Sequence, residues 1–352
     1  MVGASARAAV HSLARAGNEA WAVDQFCDRD LARVAPCARS INYPDDIPEL
    51  AKQFPPGPVL YTGGLENHPH TVAELARTRE LWGNPPDVLA RVRDPHSSAA
   101  CGFAMPRLVP ANNPCPADGR WLRKPLRSGG GLGIRFAHPG EPPSADHYFQ
   151  EFVEGPPMSA LFVNDRLLGV TEQLIGVPWL HAGGFTYCGN IGPIDAPTPA
   201  LPTALVGPWG IDFLLHDDAP LALEVNPRYT AGMEVLEHAF GVAAFEAARG
   251  FASALTRLRA KPQAAHTIGK AIYYAPHALT FPHRGPWDDD LAGDFDPWRL
   301  PGFADIPDAG ARVEAGHPVL TFFARGSTPA EVRQRLQSRA AELDVLFQEH
   351  LT

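Results

Sequence analysis

Apolar residues along the chain recur with two periods, and the alternation between them lays out a mixed order of helices and strands. In residues 5–16 (SARAAVHSLARA) they fall at helical spacing and stop at Gly17, while AWAVD at 20–24 reads as a strand. With Met1-Val2 as the stub of a strand and Gly3 as a turn, this opening predicts a βαβ unit. A parallel strand usually needs about five residues, so the reading expects either several more apolar residues ahead of Met1 in the native chain or a weakened domain. A strand at Val59–Tyr61 leads into the loop TGGLENHP, with a helix expected over Thr71–Leu81. Residues 84–120, rich in Pro, Asn and Gly, read as a linker around one short helix.

From Trp121 the period changes to two. WLRKP, IRFA, YFQEFV, MSALFV and RLLGVTEQLI read as strands, the last two joined at Asn164-Asp165 as a hairpin. GIDFLL and LALEV form another hairpin around HDDAP, and a helix is expected from about Met233 to Leu258. AIYYA and VLTFFA are further strands. The last helix opens on a capping box, Thr328 to Glu331, and repeats Val332, Leu336, Ala340, Leu343 and Phe347 at helical spacing. There is no internal repeat.

Composition narrows the class. The chain has 352 residues, enough for two or three subdomains, and a formal charge of −9, which argues against a nucleic-acid partner. No stretch approaches about 18 consecutive apolar residues, so a membrane span is not expected, and the N-terminus does not read as a signal peptide. The five cysteines, Cys27, Cys37, Cys101, Cys115 and Cys188, are odd in number and form no C-x-x-C pair. Neither a disulfide nor a zinc site is therefore expected, and reduced thiols fit a cytoplasmic enzyme.

Three segments carry chemistry. Lys124 ends a strand, and Ser128-Gly129-Gly130-Gly131-Leu132-Gly133 follows, a loop whose N–H groups can approach phosphate oxygens; it is neither a Walker loop nor G-x-G-x-x-G. Glu224 and Asn226 share one face of a strand. If HDDAP is a five-residue loop with Leu215 opposite Leu221, Asp212 falls opposite Glu224, and the three make an oxygen-rich site suited to Mg²⁺. Arg228 lies on that same face if the strand continues past Pro227, and could hold a carboxylate or phosphoryl group with two parallel hydrogen bonds. The QEFVEG strand end, Gln150–Gly155, adds backbone groups that could meet a purine edge.

K-P-x-x-S-G-G-G-x-G-I, Q-E-F-V-E-G and G-I-D-F…L-E-V-N-P-R, in this order and spacing, resemble the ATP-grasp superfamily over residues 90–255. ADIP and HPVLTFFARG are similar to the end of predicted carboligases related to biotin carboxylase, and tyramine–glutamate ligase is the suggested characterised relative. The resemblance implies an α+β chain with the ATP-grasp fold and an N-terminal Rossmann-like α/β domain. Its parts would be an α/β domain (1–90), linker and lid (91–185), and a catalytic subdomain with a terminal extension (186–352). By resemblance, Lys124 and the loop Ser128, Gly129, Gly130, Gly131 and Gly133 hold ATP phosphates. Gln150, Glu151 and Val153 line the adenine, Asp212, Glu224 and Asn226 hold Mg²⁺ (or Mn²⁺), and Arg228 faces an acyl phosphate. Relatives often place an acidic residue after the hinge glycine for the ribose; here the region reads Pro156-Pro157-Met158-Ser159, and ribose binding is unassigned.

The implied reaction joins a small-molecule carboxylate to an amine, a step suited to cofactor biosynthesis, in a monomer or homodimer. Two rivals stand beside it: phosphorylation of bicarbonate as in biotin carboxylase, and a non-catalytic nucleotide sensor. Glu66 and Asn67 after a strand, and the run His181–Pro193, are candidates for the substrate side. His181 itself reads equally as structural or catalytic. Gly3 to Asp24 imitates a dinucleotide fold but lacks its glycine fingerprint.

Overall fold

The structure, a computed structural model, describes residues 1–100, 102–200, 205–248, 264 and 266–348. Its first part is built on α1 (Arg7–Arg15), β1 (Ala22–Asp24), α2 (Arg29–Ala32), β2 (Cys37–Arg39), α3 (Ile47–Ala51) and α4 (Pro69–Thr78). β1 and β2 pair in parallel, and Val2 bridges Val23 and Tyr61, also in parallel. The stretch Val59–Tyr61 contributes only single bridges, one of them from Val59 to Leu81. That bridge takes Leu81 out of the expected helix, which instead starts at Pro69, where a missing N–H costs nothing. Val2, Val23, Ile47, Leu65, Val72 and Leu89 form the core beneath.

Two expectations fail here. Cys27 and Cys37 form a disulfide. Cys27 turns out of β1 with positive φ, and the parallel pairing of β1 with β2 brings Cys37 alongside, a closeness that residue spacing does not show. Cys115 and Cys188 are free and buried; Cys101 lies outside the described residues. The linker holds two helices, α5 (Pro86–Arg93) and α6 (Pro95–Ala100), each opening on proline, so Pro95 ends one and starts the next.

β3 (Trp121–Pro125), β4 (Arg135–Phe136) and β5 (His147–Glu151) make a small antiparallel lid sheet in the order β4-β3-β5. The strands that follow are β6 (Pro157–Val163), β7 (Arg166–Ile175), β8 (Tyr187–Ile194), β9 (Pro208–His216), β10 (Ala219–Asn226) and β11 (Thr267–Tyr274). With β13 (Phe303–Ala304) and β15 (Pro318–Gly326), they form an eight-stranded sheet, β10-β9-β6-β7-β8-β11-β15-β13. β12 (Leu279–Thr280) and β14 (Arg312–Val313) pair apart from it. β6 and β7, which the sequence reading groups with the lid, hydrogen-bond into this large sheet.

α7 (Ala231–Phe240) packs on the sheet and ends at Gly241, whose positive φ (64°) breaks the helix expected to run on to Leu258. α8 (Ala244–Ala248) follows, and 249–258 lie outside the described residues. After the short α9 (Asp288–Leu291), α10 (Pro329–Gln348) covers β11 and β15 with Val332, Leu336, Ala340, Leu343 and Phe347 all buried. At its start Thr328 accepts from the Glu331 N–H as expected, but Glu331 reaches back to the N–H of Ser327 rather than of Thr328.

Candidate active site

A cleft of about 620 Å³ separates the lid from the large sheet, and every element of the sequence motif borders it. On its floor, β9 is flanked by β6 and β10, so Asp212 stands between Ser159 and Glu224. Asp212 accepts hydrogen bonds from the Ser159 hydroxyl (2.6 Å), the Gln173 amide (2.8 Å) and the Asn226 amide (3.0 Å), and that last group also reaches Glu224 at 3.4 Å. The pairing of Asp212 with Glu224 is the one expected, but the hairpin differs. Its loop is only Asp217-Asp218, both at positive φ, with Leu221 opposite Leu214. A bulge between Ala222 and Glu224 then shifts the register by one and restores Glu224 opposite Asp212.

Burial and, after it, the charge of Glu224 push the Asp212 carboxyl up to about 7. Burial works against the Glu224 charge too, yet Arg93 and Lys124 outweigh it and hold that carboxyl below its ordinary range. Two carboxylates this crowded want a proton or a cation between them. The donor set fits Mg²⁺: two carboxylate oxygens, with a third oxygen from Asn226 once its amide turns over, since here its nitrogen faces the carboxylates. Among the described residues no group of three or more His, Cys, Asp or Glu side chains is placed to hold a metal ion, so the remaining positions would fall to ligand or water oxygens.

The lid supplies the roof. Lys124 is buried and donates to the Gln150 side chain at 2.9 Å. Gly130, Gly131 and Gly133 have positive φ, and Gly131 is tightly constrained: a Cβ there would lie 1.8 Å from the Phe185 carbonyl oxygen. The loop lies against residues 183–187 in this way, and Tyr187 N–H donates to Gly130. Gln150, Glu151 and Val153 line the cleft, but the Glu151 side chain turns outward to Arg107 at 3.0 Å, leaving its backbone to the cleft. Phe152 and Phe185 meet edge to face above it.

Arg228 also borders the cleft, though not as a strand residue: β10 ends at Asn226. Its guanidinium lies 2.6 Å from Glu66, the loop residue suspected on the substrate side. His181 is structural in its contacts, bonded to Asp344 on α10 at 2.6 Å, whereas Phe185, Tyr187 and Asn190 of the same run line the cleft.

Sequence reasoning missed Arg93, the most connected group of the site. From the end of α5 it donates to Glu224 (3.3 Å), the Val225 carbonyl (3.3 Å), Asn226 (3.4 Å), Asn67 (3.2 Å) and the Ser128 carbonyl (3.1 Å). It thereby ties the acidic floor to the glycine loop. Nothing in DVLARVR marks this arginine. Ser159 carried a usable signal, being a polar residue inside a strand otherwise apolar on both sides, whereas Gln173 sits beside Thr171 and Glu172 and does not stand out.

Residues 98–232 match the sequence profile of the ATP-grasp domain. This chain carries an ATP-grasp domain. The match spans the lid, the glycine loop, Asp212, Glu224, Asn226 and Arg228, and it also takes in β6 to β10. Solved structures agree on the fold over nearly the whole chain. The biotin carboxylase domain of 2-oxoglutarate carboxylase from Hydrogenobacter thermophilus, solved with MgADP, ADP and bicarbonate, superposes with a TM-score of 0.65 at 14% identity, covering 96% of this chain and 88% of that one. L-amino acid ligase from Bacillus licheniformis gives 0.64 at 12%, covering 97% and 96%. Phosphoribosylamine–glycine ligase from Thermotoga maritima gives 0.59 at 18%, covering 97% and 95%. At such identities the likeness speaks for the fold alone. No curated protein matches the chain by sequence.

Proposed function

We propose that the protein is an ATP- and Mg²⁺-dependent ligase that phosphorylates a carboxylate and joins the acyl group to an amine. The observation that carries this is the floor of the cleft, where Asp212, Glu224 and Asn226 converge beneath Lys124 and the glycine loop, with Arg228 alongside. The cleft is graded in polarity. Phe152, Val153, Phe185 and Leu214 give one part an apolar lining suited to a base, and the charged residues make a floor suited to phosphates. Magnesium, when bound, would neutralise charge developing on the transferring phosphoryl group. Lys124 would hold phosphate oxygens, the loop from Ser128 to Gly133 would exclude water, and Arg228 would orient the acyl phosphate.

Biotin-carboxylase-like chemistry is the second reading, favoured by the fold shared with a domain solved with bicarbonate. Purified protein with Mg·ATP and pooled carboxylic acids should form ADP and phosphate, and hydroxylamine should trap the acyl phosphate as a hydroxamate. Bicarbonate-dependent phosphate release that no amine accelerates would favour the second reading. ATP binding without turnover on any acid would sink both.

A further inference from the structure

A second cavity, of about 520 Å³, adjoins the first on the side of the N-terminal domain, and the two share Arg93, Leu126 and Tyr148 as common walls. Val109, Ala111 and Phe149 help give the second cavity a largely apolar lining. One charged group stands out in it. Glu66 borders this cavity yet is 1% exposed, and among the described residues neither carboxylate oxygen meets an aligned hydrogen-bond donor. Among the described residues the cation in contact with it is Arg228, at 2.6 Å from Oε1 but poorly aligned for a hydrogen bond.

Burial by itself favours the neutral form of Glu66. Arg228 and Arg93 outweigh that effect and hold its carboxyl below the usual range, so the group is an anion. A buried anion with an unfilled acceptor oxygen asks for a donor, best a positively charged one. An anionic ligand would be repelled there, and a lone carboxylate is a poor metal site.

We propose that this cavity receives the acceptor amine of the ligase reaction, a primary amine carrying an apolar body, and that Glu66 binds its ammonium group. The inference rests on the ligase reading of the cleft. It also gives the Glu66–Arg228 pair a purpose: the same contact that charges Glu66 places the amine beside the guanidinium assigned to the acyl phosphate.

The test uses the full chain with benzylamine, protonated at neutral pH, and benzyl alcohol as its neutral counterpart. Dissociation constants are measured by ligand-observed NMR, with Mg·ATP binding followed separately by a fluorescent analogue. Wild type should prefer the amine by about 10-fold or more, roughly 1.4 kcal/mol. Glu66→Gln should erase that preference. Ala111→Trp, an exposed turn residue on the cavity rim, should block both ligands while leaving Mg·ATP binding intact. Equal binding of amine and alcohol by wild type, or an amine preference that survives either substitution, would overturn the proposal. If Glu66→Gln does not fold, the alcohol comparison and Ala111→Trp still decide it. An amine preference in a protein that fails to bind Mg·ATP would remove the acceptor role together with the ligase reading. Mg·ATP binding without an amine preference would remove the acceptor role alone.

Discussion

At the scale of single residues, the site is a balance among three cations and two carboxylates. Glu224 is the member whose removal separates its roles. Glu224→Gln exchanges one carboxylate oxygen of the proposed metal site for an amide nitrogen and removes the repulsion that pushes Asp212 up. It also removes the charge facing Arg93, but that pair is long (3.3 Å) and Glu224 is about a third exposed, so its loss costs under about 1 kcal/mol. The metal-free variant should therefore melt within a few degrees of wild type, while Mg·ATP turnover disappears. Unfolding of the variant without metal would make Glu224 structural, and normal turnover would place the metal elsewhere. Arg228 is the complementary case. Its role needs the two-pronged geometry that lysine lacks, so Arg228→Lys should lower turnover at least ~10-fold, about 1.4 kcal/mol, with ATP affinity little changed. A collapse of ATP affinity with turnover preserved at saturation would assign Arg228 to nucleotide binding. Asp212, Glu224 and Asn226 were legible because strand alternation and pairing dictate their neighbours. Arg93 was not, because its five contacts come from a helix whose docking angle no local pattern encodes.

At the scale of elements, the β9–β10 hairpin shows how a sequence reading can reach the right pair by a wrong route. A five-residue loop with a regular ladder and a two-residue loop with one bulge put the same two carboxylates opposite each other. The sequence pattern decides only their sum. The observed route has a testable mark. Asp217 and Asp218 both sit at positive φ, 47° and 60°, the signature of a two-residue turn with left-handed central residues. Aspartate tolerates that region at some cost, and glycine does not incur it. Replacing the turn by Asn-Gly (D217N/D218G) should raise stability by about 0.5–1 kcal/mol and leave turnover unchanged. A lower melting temperature would restore the longer loop. Strands were legible from their period and the lid from its glycines. The disulfide was misread because parallel pairing acts across the chain, outside any window; the helix end was written locally in Gly241, a left-handed stop that the apolar run on either side of it masked.

At the scale of the molecule, the N-terminal domain is bolted to the large sheet by buried charge. Arg7 of α1 grips Glu234 of α7 with two hydrogen bonds (2.6 and 2.8 Å), and Lys270 of β11 closes on the same carboxylate at 2.8 Å. One turn along, Arg15, Ser12 and Tyr229 converge on Glu237. Because Glu66 and Arg228 come from opposite sides of this junction, the junction sets the geometry of the site. Two histidines are packed into it. Burial, then the charge of nearby arginines, holds His11 down at about 3, and His238, beside Arg15, is likewise held to about 3. A folded-state pKa below the unfolded value means the unfolded chain binds more protons between about 3 and 6.5. These histidines therefore lower stability as pH falls through 6.5. Asp30 opposes them: burial raises it to about 6, so it favours the folded state as pH falls toward 4. The melting profile of the wild type is thus muted, and differences between variants are the cleaner reading. His11→Gln and His238→Gln each lack the penalty, so the stability of either variant relative to wild type should climb steadily between pH 7 and pH 5. Melts of the three proteins across that range decide the matter. A difference that stays flat with pH would mean both rings keep their ordinary proton affinity in the folded protein, and that the junction is open to water.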